Sequence, residues 1–399
     1  MPNKRNFLNE IKTLDDIEEV ENEIIKTGKN IINISHWNPS MFFYSQFPDK
    51  KVQFGGLPEF HNYVYSYYLD EQTKSSVKEK LGDLSDFREC LITPSGTISI
   101  QCLLDFAKNH LNIRNLVIIN PSYFSVHHAC RRLKIPTQEL DLNRDRNESN
   151  EAFLLNRSKL AGLLTNLKRS KSNYGLWVTN PIYSAGIAYT KEDIEFLKNL
   201  LKSHPHLYIF ADESFSFSSC ELLRDFYSMP NFFSIHDPWK QLCLNGYKFS
   251  VISYNRTYQK HFEEWADILY GSLPSSSTLG ISLFISPFFD EYKQIANDFY
   301  QKRLKELDER YGKQLSFTFD RNAHGPYTSC YFSAKNFNLL SSANRFRPLI
   351  SQTGLSLIPN ERNRFPSKLG FSFRINLAKY DGDTFWENFD KLWKYIDNL

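Results

Sequence analysis

The chain has 399 residues, of which 41% are hydrophobic and 15% aromatic, and its 48 basic and 45 acidic side chains leave a net charge of +3. That length and apolar content support one large or two medium domains with a sizeable core. The near balance of charge excludes the electrostatic footprint of a nucleic-acid-binding protein.

Six cysteines, Cys90, Cys102, Cys130, Cys220, Cys243 and Cys330, are scattered without a CxxC pair. Neither a disulfide framework nor a metal site is expected from them; they read as separate buried thiols in a reducing compartment. Met1-Pro2-Asn3-Lys4-Arg5-Asn6 leads into charged sequence without an apolar signal-like stretch, and no apolar run reaches the length of a membrane span. A cytoplasmic protein with no membrane contact is the expectation.

In chain order, Thr93-Pro94-Ser95-Gly96-Thr97 precedes a helical pattern from Ile98 to Ala107. A polar-Gly-polar turn at a helix start offers backbone N–H groups and the positive end of the helix dipole, which suits a phosphate. A plain helix cap has the same composition. Leu116–Ile119 reads as a buried strand ending in Asn120-Pro121-Ser122. Tyr123 follows, placed either to stack on a flat ring or to fill the core.

Tyr174–Thr179 reads as a second strand, ending at Asn180-Pro181. An amide there can donate to a phenolate oxygen, although Asn-Pro is also a routine turn former. Lys191–Ser203 has helical spacing, and Leu207–Ala211 reads as a third strand that runs directly into Asp212. A carboxylate in that place can pair with a protonated ring nitrogen or cap the next helix. Lys240, in Ser234-Ile235-His236-Asp237-Pro238-Trp239-Lys240, precedes a fourth strand, Phe249–Ser253. An amine is the group needed to form an imine with a carbonyl, though a single lysine is most often a surface charge.

Strands alternating with helices point to an α/β fold with a mainly parallel sheet flanked by helices, and such sheets bind ligands at the carboxyl ends of their strands. After Pro287 the pattern changes to a long charged helix from Phe289 to about Tyr311, a strand at Tyr327–Phe332, a helix over Ser341–Thr353, a strand at Phe371–Leu377 and a closing helix at Asp383–Ile396. This reads as a smaller α+β domain. The expected division is residues 1–45 as an arm and part of the small domain, 46–287 as the large domain and 288–399 as the small one.

Taken together and in order, these segments resemble the fold-type I pyridoxal-phosphate (PLP) enzymes, specifically the class I/II aminotransferase family. The resemblance spans roughly residues 30 to 399. It implies that Ser95, Gly96 and Thr97 bind the cofactor phosphate, Tyr123 stacks on its ring, Asn180 binds its phenolic oxygen and Asp212 pairs with its pyridinium nitrogen. Lys240 would carry the Schiff base, with Gly246 six and Lys248 eight residues later in the family's spacing, Lys248 standing for a phosphate-binding Arg. Arg374, in Phe373-Arg374-Ile375-Asn376-Leu377-Ala378, would grip the α-carboxylate of an amino-acid substrate. The resemblance also implies a homodimer and a 2-oxo acid as second substrate.

Some positions depart from the family. Phe215 replaces a Tyr that donates to the cofactor oxygen. Lys248 keeps the charge of the usual Arg but not its planar fork. Asp237 stands where a phosphate-binding Ser or Thr is common; since a carboxylate would repel phosphate, either it points elsewhere, or Ser234 or His236 substitutes for it. Trp37 replaces a Gly near the substrate and either walls its pocket, the favoured reading, or belongs to the core, and Lys51–Gly56 lacks a Tyr that reaches the partner subunit's phosphate. These changes keep open a second reading, elimination, replacement or cyclisation of an amino-acid side chain, and a third, a non-catalytic PLP-binding protein. A nucleotide-binding α/β protein would need a glycine-rich phosphate loop, and neither GxGxxG nor GxxxxGK[ST] is present.

Overall fold

The computed structural model describes residues 14–35, 40–46, 71–81, 87–144, 153–168, 172–216, 222–269, 273–313, 317–332, 343–360, 364–365 and 372–398. The chain divides into two compact units: Met1–Phe47 with Ser184–Gly186 and Asp298–Leu399, and Pro48–Tyr183 with Ile187–Asn297.

The larger unit is built on a seven-stranded sheet. Its strands are β1 (Arg88–Thr93), β2 (Asn115–Asn120), β3 (Thr137–Asp141), β4 (Tyr174–Thr179), β5 (Leu207–Asp212), β6 (Phe232–His236) and β7 (Ser250–Asn255), in the order β1-β7-β6-β5-β4-β2-β3. Only β7 runs against its neighbours; the pairs β6–β5, β5–β4, β4–β2 and β2–β3 are parallel. The expected mixed, mainly parallel sheet is therefore present. All six residues of β4 are buried, as a parallel strand covered on both faces requires.

Four of these strands follow the apolar runs visible in the sequence. The other three do not stand out there. β1 opens on Arg88, which is fully buried because its Nε donates to Ser253 Oγ at 2.9 Å and its Nη1 to the Phe232 carbonyl at 3.3 Å. β3 is an edge strand of mostly polar residues, and β6 is short.

Helices α1 (Gly96–Asn109), α2 (Phe124–Leu133) and α3 (Lys191–Ser203) flank the sheet. Leu103 and Phe106 of α1 pack in one core cluster with Trp177, Phe210, Ile235 and Ile252. α3 starts at Thr190, whose hydroxyl accepts from Asp193 N–H at 3.1 Å. Two further helices matter below: α4 (Pro238–Gln241) and α5 (Phe288–Tyr311), within which the division between the units falls.

The smaller unit holds an antiparallel sheet of β8 (Phe317–Phe319), β9 (Tyr327–Phe332), β10 (Ile358–Pro359) and β11 (Ser372–Asn376), in the order β8-β9-β11-β10. The closing helix, α6 (Asp383–Asp397), buries Phe385, Trp386, Phe389 and Leu392 along one face, the spacing of an amphipathic helix.

Among the described residues no helix is long and apolar enough to cross a membrane, and no group of three or more His, Cys, Asp or Glu is placed to hold a metal. Cys102 and Cys130 are buried free thiols; Cys220 lies outside the described residues. Burial pushes the Cys102 and Cys130 thiols up to about 12, which makes them inert.

Candidate active site

The parallel strands of the large sheet deliver their carboxyl ends to one edge. Asn120, Thr179, Asp212 and His236 end β2, β4, β5 and β6 there. β1 reaches the same edge at Thr93, opposite Ser250 at the start of β7. A buried hydroxyl chain ties this edge together: Thr93 Oγ1 lies 2.8 Å from Ser99 Oγ, which donates to Ser250 Oγ at 3.0 Å, which donates to the His236 carbonyl at 2.8 Å. The first turn of α1 is thereby pinned to the strand end that leads into Asp237 and Lys240.

Lys240 lies in the short helix α4, with 15% of its side chain exposed. Its Nζ sits 5.5 Å from the ring centres of both Tyr123 and Phe215. Tyr183 extends this aromatic wall, 5.4 Å from Tyr123 and 6.3 Å from Phe215. Nζ is 3.2 Å from Asp237 Oδ2. Burial disfavours both charges: it raises the pKa of the Asp237 carboxyl and works against the Lys240 ammonium. The nearby charge of Asp237, then of Tyr123, Asp212 and Tyr183, overrides burial at Lys240 and raises its pKa. The contact and the Asp212 carboxylate both favour the proton on Lys240.

Gly96 opens α1 against this pair. A β-carbon placed there would meet Asp237 Oδ2 at 2.9 Å, Lys240 Nζ at 3.4 Å and Ser214 Oγ at 3.7 Å. Ser95 caps the helix, its hydroxyl accepting from Ile98 N–H at 3.4 Å, and Thr97 is exposed on the first turn. Asp212 is 4% exposed, and its Oδ1 accepts from Ser214 N–H at 3.1 Å. Asn180 is locked beside it: its N–H donates to the Asp212 carbonyl at 2.9 Å, its Oδ1 accepts from Tyr189 N–H at 3.2 Å, and its Nδ2 reaches Glu213 Oε1 at 3.5 Å. Lys248 is exposed, yet its charge is felt at Asp237.

Gly96, Tyr123, Asp212, Phe215, Lys240 and Lys248 thus converge on one place, with Ser95, Thr97 and Asn180 in the adjoining turns. Asp237 does not point elsewhere; it faces Gly96 and Lys240. Ser234 and His236 do not take its place at the helix start, because Ser234 Oγ and His236 Nε2 are bonded to each other at 2.9 Å. Glu213 Oε2 lies 3.8 Å from that imidazole. Burial, then the charges of Arg88 and Lys293, nevertheless drive the His236 pKa down to about 3, so the ring is neutral. Tyr183 and Ser214 were not legible as site residues; each lies next to a strand-end motif, which is the one signal that points to them.

Arg374 belongs to the smaller unit, in the centre of β11 opposite Ser329 and Ile358. It is 2% exposed. Its Nε donates to the Ser35 carbonyl at 3.1 Å, Ser35 Oγ donates back to the Arg374 carbonyl at 2.7 Å, and the guanidinium lies 4.5 Å from the Tyr327 ring centre. Trp37 and Lys51–Gly56 lie outside the described residues.

The family model described as "Aminotransferase class I and II" matches residues 50–384. The fold is similar to that of the multiple substrate aminotransferase of Thermococcus profundus, at 12% identity and a TM-score of 0.74 over 98% of this chain and 96% of that one. It is similar to the kynurenine aminotransferase of Pyrococcus horikoshii at 11% identity and 0.74, over 96% and 94%. It is also similar to the PLP-containing cystalysin of Treponema denticola at 15% and 0.75, over 98% and 96%. At these identities the likenesses speak for the fold. No curated protein sequence matches the chain.

Proposed function

Since the chain belongs to the class I and II aminotransferase family, we propose that it is a PLP-dependent enzyme that transfers an amino group from an amino acid to a 2-oxo acid, with Lys240 as the covalent anchor of the cofactor. The observation that carries this reading is the setting of Lys240 Nζ, 5.5 Å from two aromatic ring centres and within the electrostatic reach of the strand-end carboxylate Asp212. Aromatic rings beside Lys240 suit a flat ring. A buried carboxylate suits a protonated pyridine nitrogen. The start of α1 offers backbone N–H groups to an anion. Among the described residues, Asp237 does not fit an anionic cofactor.

When bound, the cofactor supplies an electron sink for the bonds at the substrate's α-carbon. This chain's residues do the rest. Asp212 keeps a proton on the ring nitrogen. Tyr123 would stack on the ring, and the apolar Phe215 would keep water from the region of the cofactor oxygen. Lys240 Nζ would be the group that moves the substrate's α-proton, as base and then acid. By the family's pattern Arg374 would bind the substrate carboxylate as a two-pronged fork; within the smaller unit the Ser35 carbonyl and the Tyr327 ring hold its guanidinium. A second reading, elimination at an amino-acid side chain, is favoured by Phe215, which leaves the cofactor oxygen without the phenol donor of the family pattern.

Borohydride reduction of the PLP-treated protein, followed by peptide mass mapping, tests the anchor. The expected product is a phosphopyridoxyl mass on the Lys240 peptide, absent in Lys240→Ala. A label on another lysine overturns the assignment. Stoichiometric release of a 2-oxo acid from an amino acid, without ammonia, separates amino transfer from elimination.

A further inference from the structure

We propose that Asp237 is an internal anion seated where the cofactor's phosphate would contact the start of α1, and that it suppresses the phosphate's contribution to cofactor binding. The inference rests on the reading of Lys240 as the cofactor anchor.

Asp237 precedes α4 in the position of a helix cap, yet its side chain makes no capping bond to that helix. The carboxylate instead points across to Gly96, where Oδ2 would lie 2.9 Å from an added β-carbon, and to Lys240 at 3.2 Å. It is 2% exposed, so water screens it poorly. The backbone on both sides is held: the hydroxyl chain from Thr93 through Ser99 and Ser250 ends on the carbonyl of His236, its direct neighbour. Turning the Asp237 carboxylate away breaks its contact with Lys240.

The charges that reach Asp237 come from Lys240 on its own helix, Asp212 at the end of β5 and Lys248 after the next turn. Among the described residues, Lys240 and Lys248 thus face Asp212 and Asp237 before any ligand arrives. A phosphate adds a charge of about −2. Lys240 is committed to the cofactor's aldehyde, so Lys248 is left to balance both Asp237 and the phosphate. A neutral hydroxyl at position 237 would donate to the phosphate; the carboxylate repels it.

Asp237 also acts on cofactor binding through Lys240, by holding its amine protonated. That effect is common to any aldehyde that condenses with Lys240. The effect on phosphate is confined to the phosphorylated one. The discriminating quantity is therefore the affinity for PLP divided by the affinity for pyridoxal, its phosphate-free analogue.

Equilibrium titration of the full-length protein with each aldehyde, followed by absorbance, gives that ratio for wild type, Asp237→Ser and Asp237→Asn. The expected result is a ratio raised on the order of tenfold or more in both variants, from removal of one poorly screened like charge. Asp237→Asn keeps the shape of the side chain, so it reports on charge even where Asp237→Ser does not fold. Binding of both aldehydes with an unchanged or lowered ratio overturns this inference and leaves the Lys240 anchor standing. Failure of both aldehydes to bind any of the three proteins overturns the anchor and this inference with it.

Discussion

The N–H of Asn180 donates to the carbonyl of Asp212 at 2.9 Å, one step beyond the last paired residues of two parallel strands. This bond extends the ladder past the point where the strands otherwise end. It places an amide and a carboxylate side by side at the sheet edge without using either side chain.

Asp212→Asn is therefore expected to leave the fold intact. The backbone bond to Asn180 persists, and an amide oxygen still accepts from Ser214 N–H. What is lost is the negative charge. Turnover should fall roughly hundredfold or more, the usual effect of removing one preorganised electrostatic partner, with thermal unfolding unchanged. A large drop in melting temperature would show that Asp212 is a structural residue.

Gly96→Ala puts a methyl 2.9 Å from Asp237 Oδ2 and 3.4 Å from Lys240 Nζ. Alanine is well tolerated in a helix, but its methyl must displace the Asp237 carboxylate held by Lys240, so stability should fall by about 1 kcal/mol. Cofactor affinity should fall about tenfold, the low end of the cost of overpacking. Equal affinities for the two proteins would place the cofactor away from the start of α1.

For Arg374→Lys the expected outcome is a KM for the amino acid raised by roughly tenfold to a hundredfold, since an ammonium can neither fork onto a carboxylate nor stack on Tyr327 while bonded to the Ser35 carbonyl. The absorbance spectrum of the bound cofactor should not change. An effect on kcat alone would assign Arg374 to something other than substrate capture.

His236 sets part of the acid stability. Burial keeps it neutral when folded, with a pKa of about 3 against 6.5 for an ordinary imidazole. Between those values the unfolded chain binds a proton that the folded chain does not. Stability contributed by the neutral ring is present above pH 6.5 and is lost as pH falls toward 3, at up to about 1.4 kcal/mol per pH unit. His236→Gln should flatten this limb in denaturant unfolding measured at successive pH values. An unchanged slope would mean that the ring is charged in the folded protein, paired with Glu213.

Gly186 has φ +71°, and a β-carbon there would lie 2.6 Å from the Tyr327 carbonyl and 2.9 Å from that of His324. Both obstacles are backbone, and His324 N–H donates to Gly186 O. Gly186→Ala should cost at least about 2 kcal/mol, from the left-handed conformation and the clash together. Denaturant unfolding measures it.

The alternation of strands and helices, and the residues that end the strands, are local matters, and they can be read from the sequence. Tyr174–Thr179 and Lys191–Ser203 have the same limits in sequence and structure, because an apolar run bounded by turn formers, or a helical period behind a Thr cap, needs no distant partner to be recognised. The order of Gly96, Tyr123, Asn180, Asp212 and Lys240 along the chain likewise sufficed to suggest a cofactor site. The strand at Arg88–Thr93 escaped notice because its buried arginine is matched by Ser253 and the Phe232 carbonyl, which are more than 140 residues away in sequence.

Asp237 marks the same division most sharply. Its identity and its place before Lys240 are plain from the sequence, and general electrostatics argued that it should turn away from the phosphate position. Only the tertiary structure decides where a side chain points. The hydroxyl chain from Thr93 to His236 fixes the backbone before it, α4 fixes Lys240 three residues after it, and Gly96 leaves the one gap that its carboxylate can fill. What the chain carries as chemistry was determined residue by residue. Which of those charges face one another was decided by packing between segments that the sequence keeps far apart.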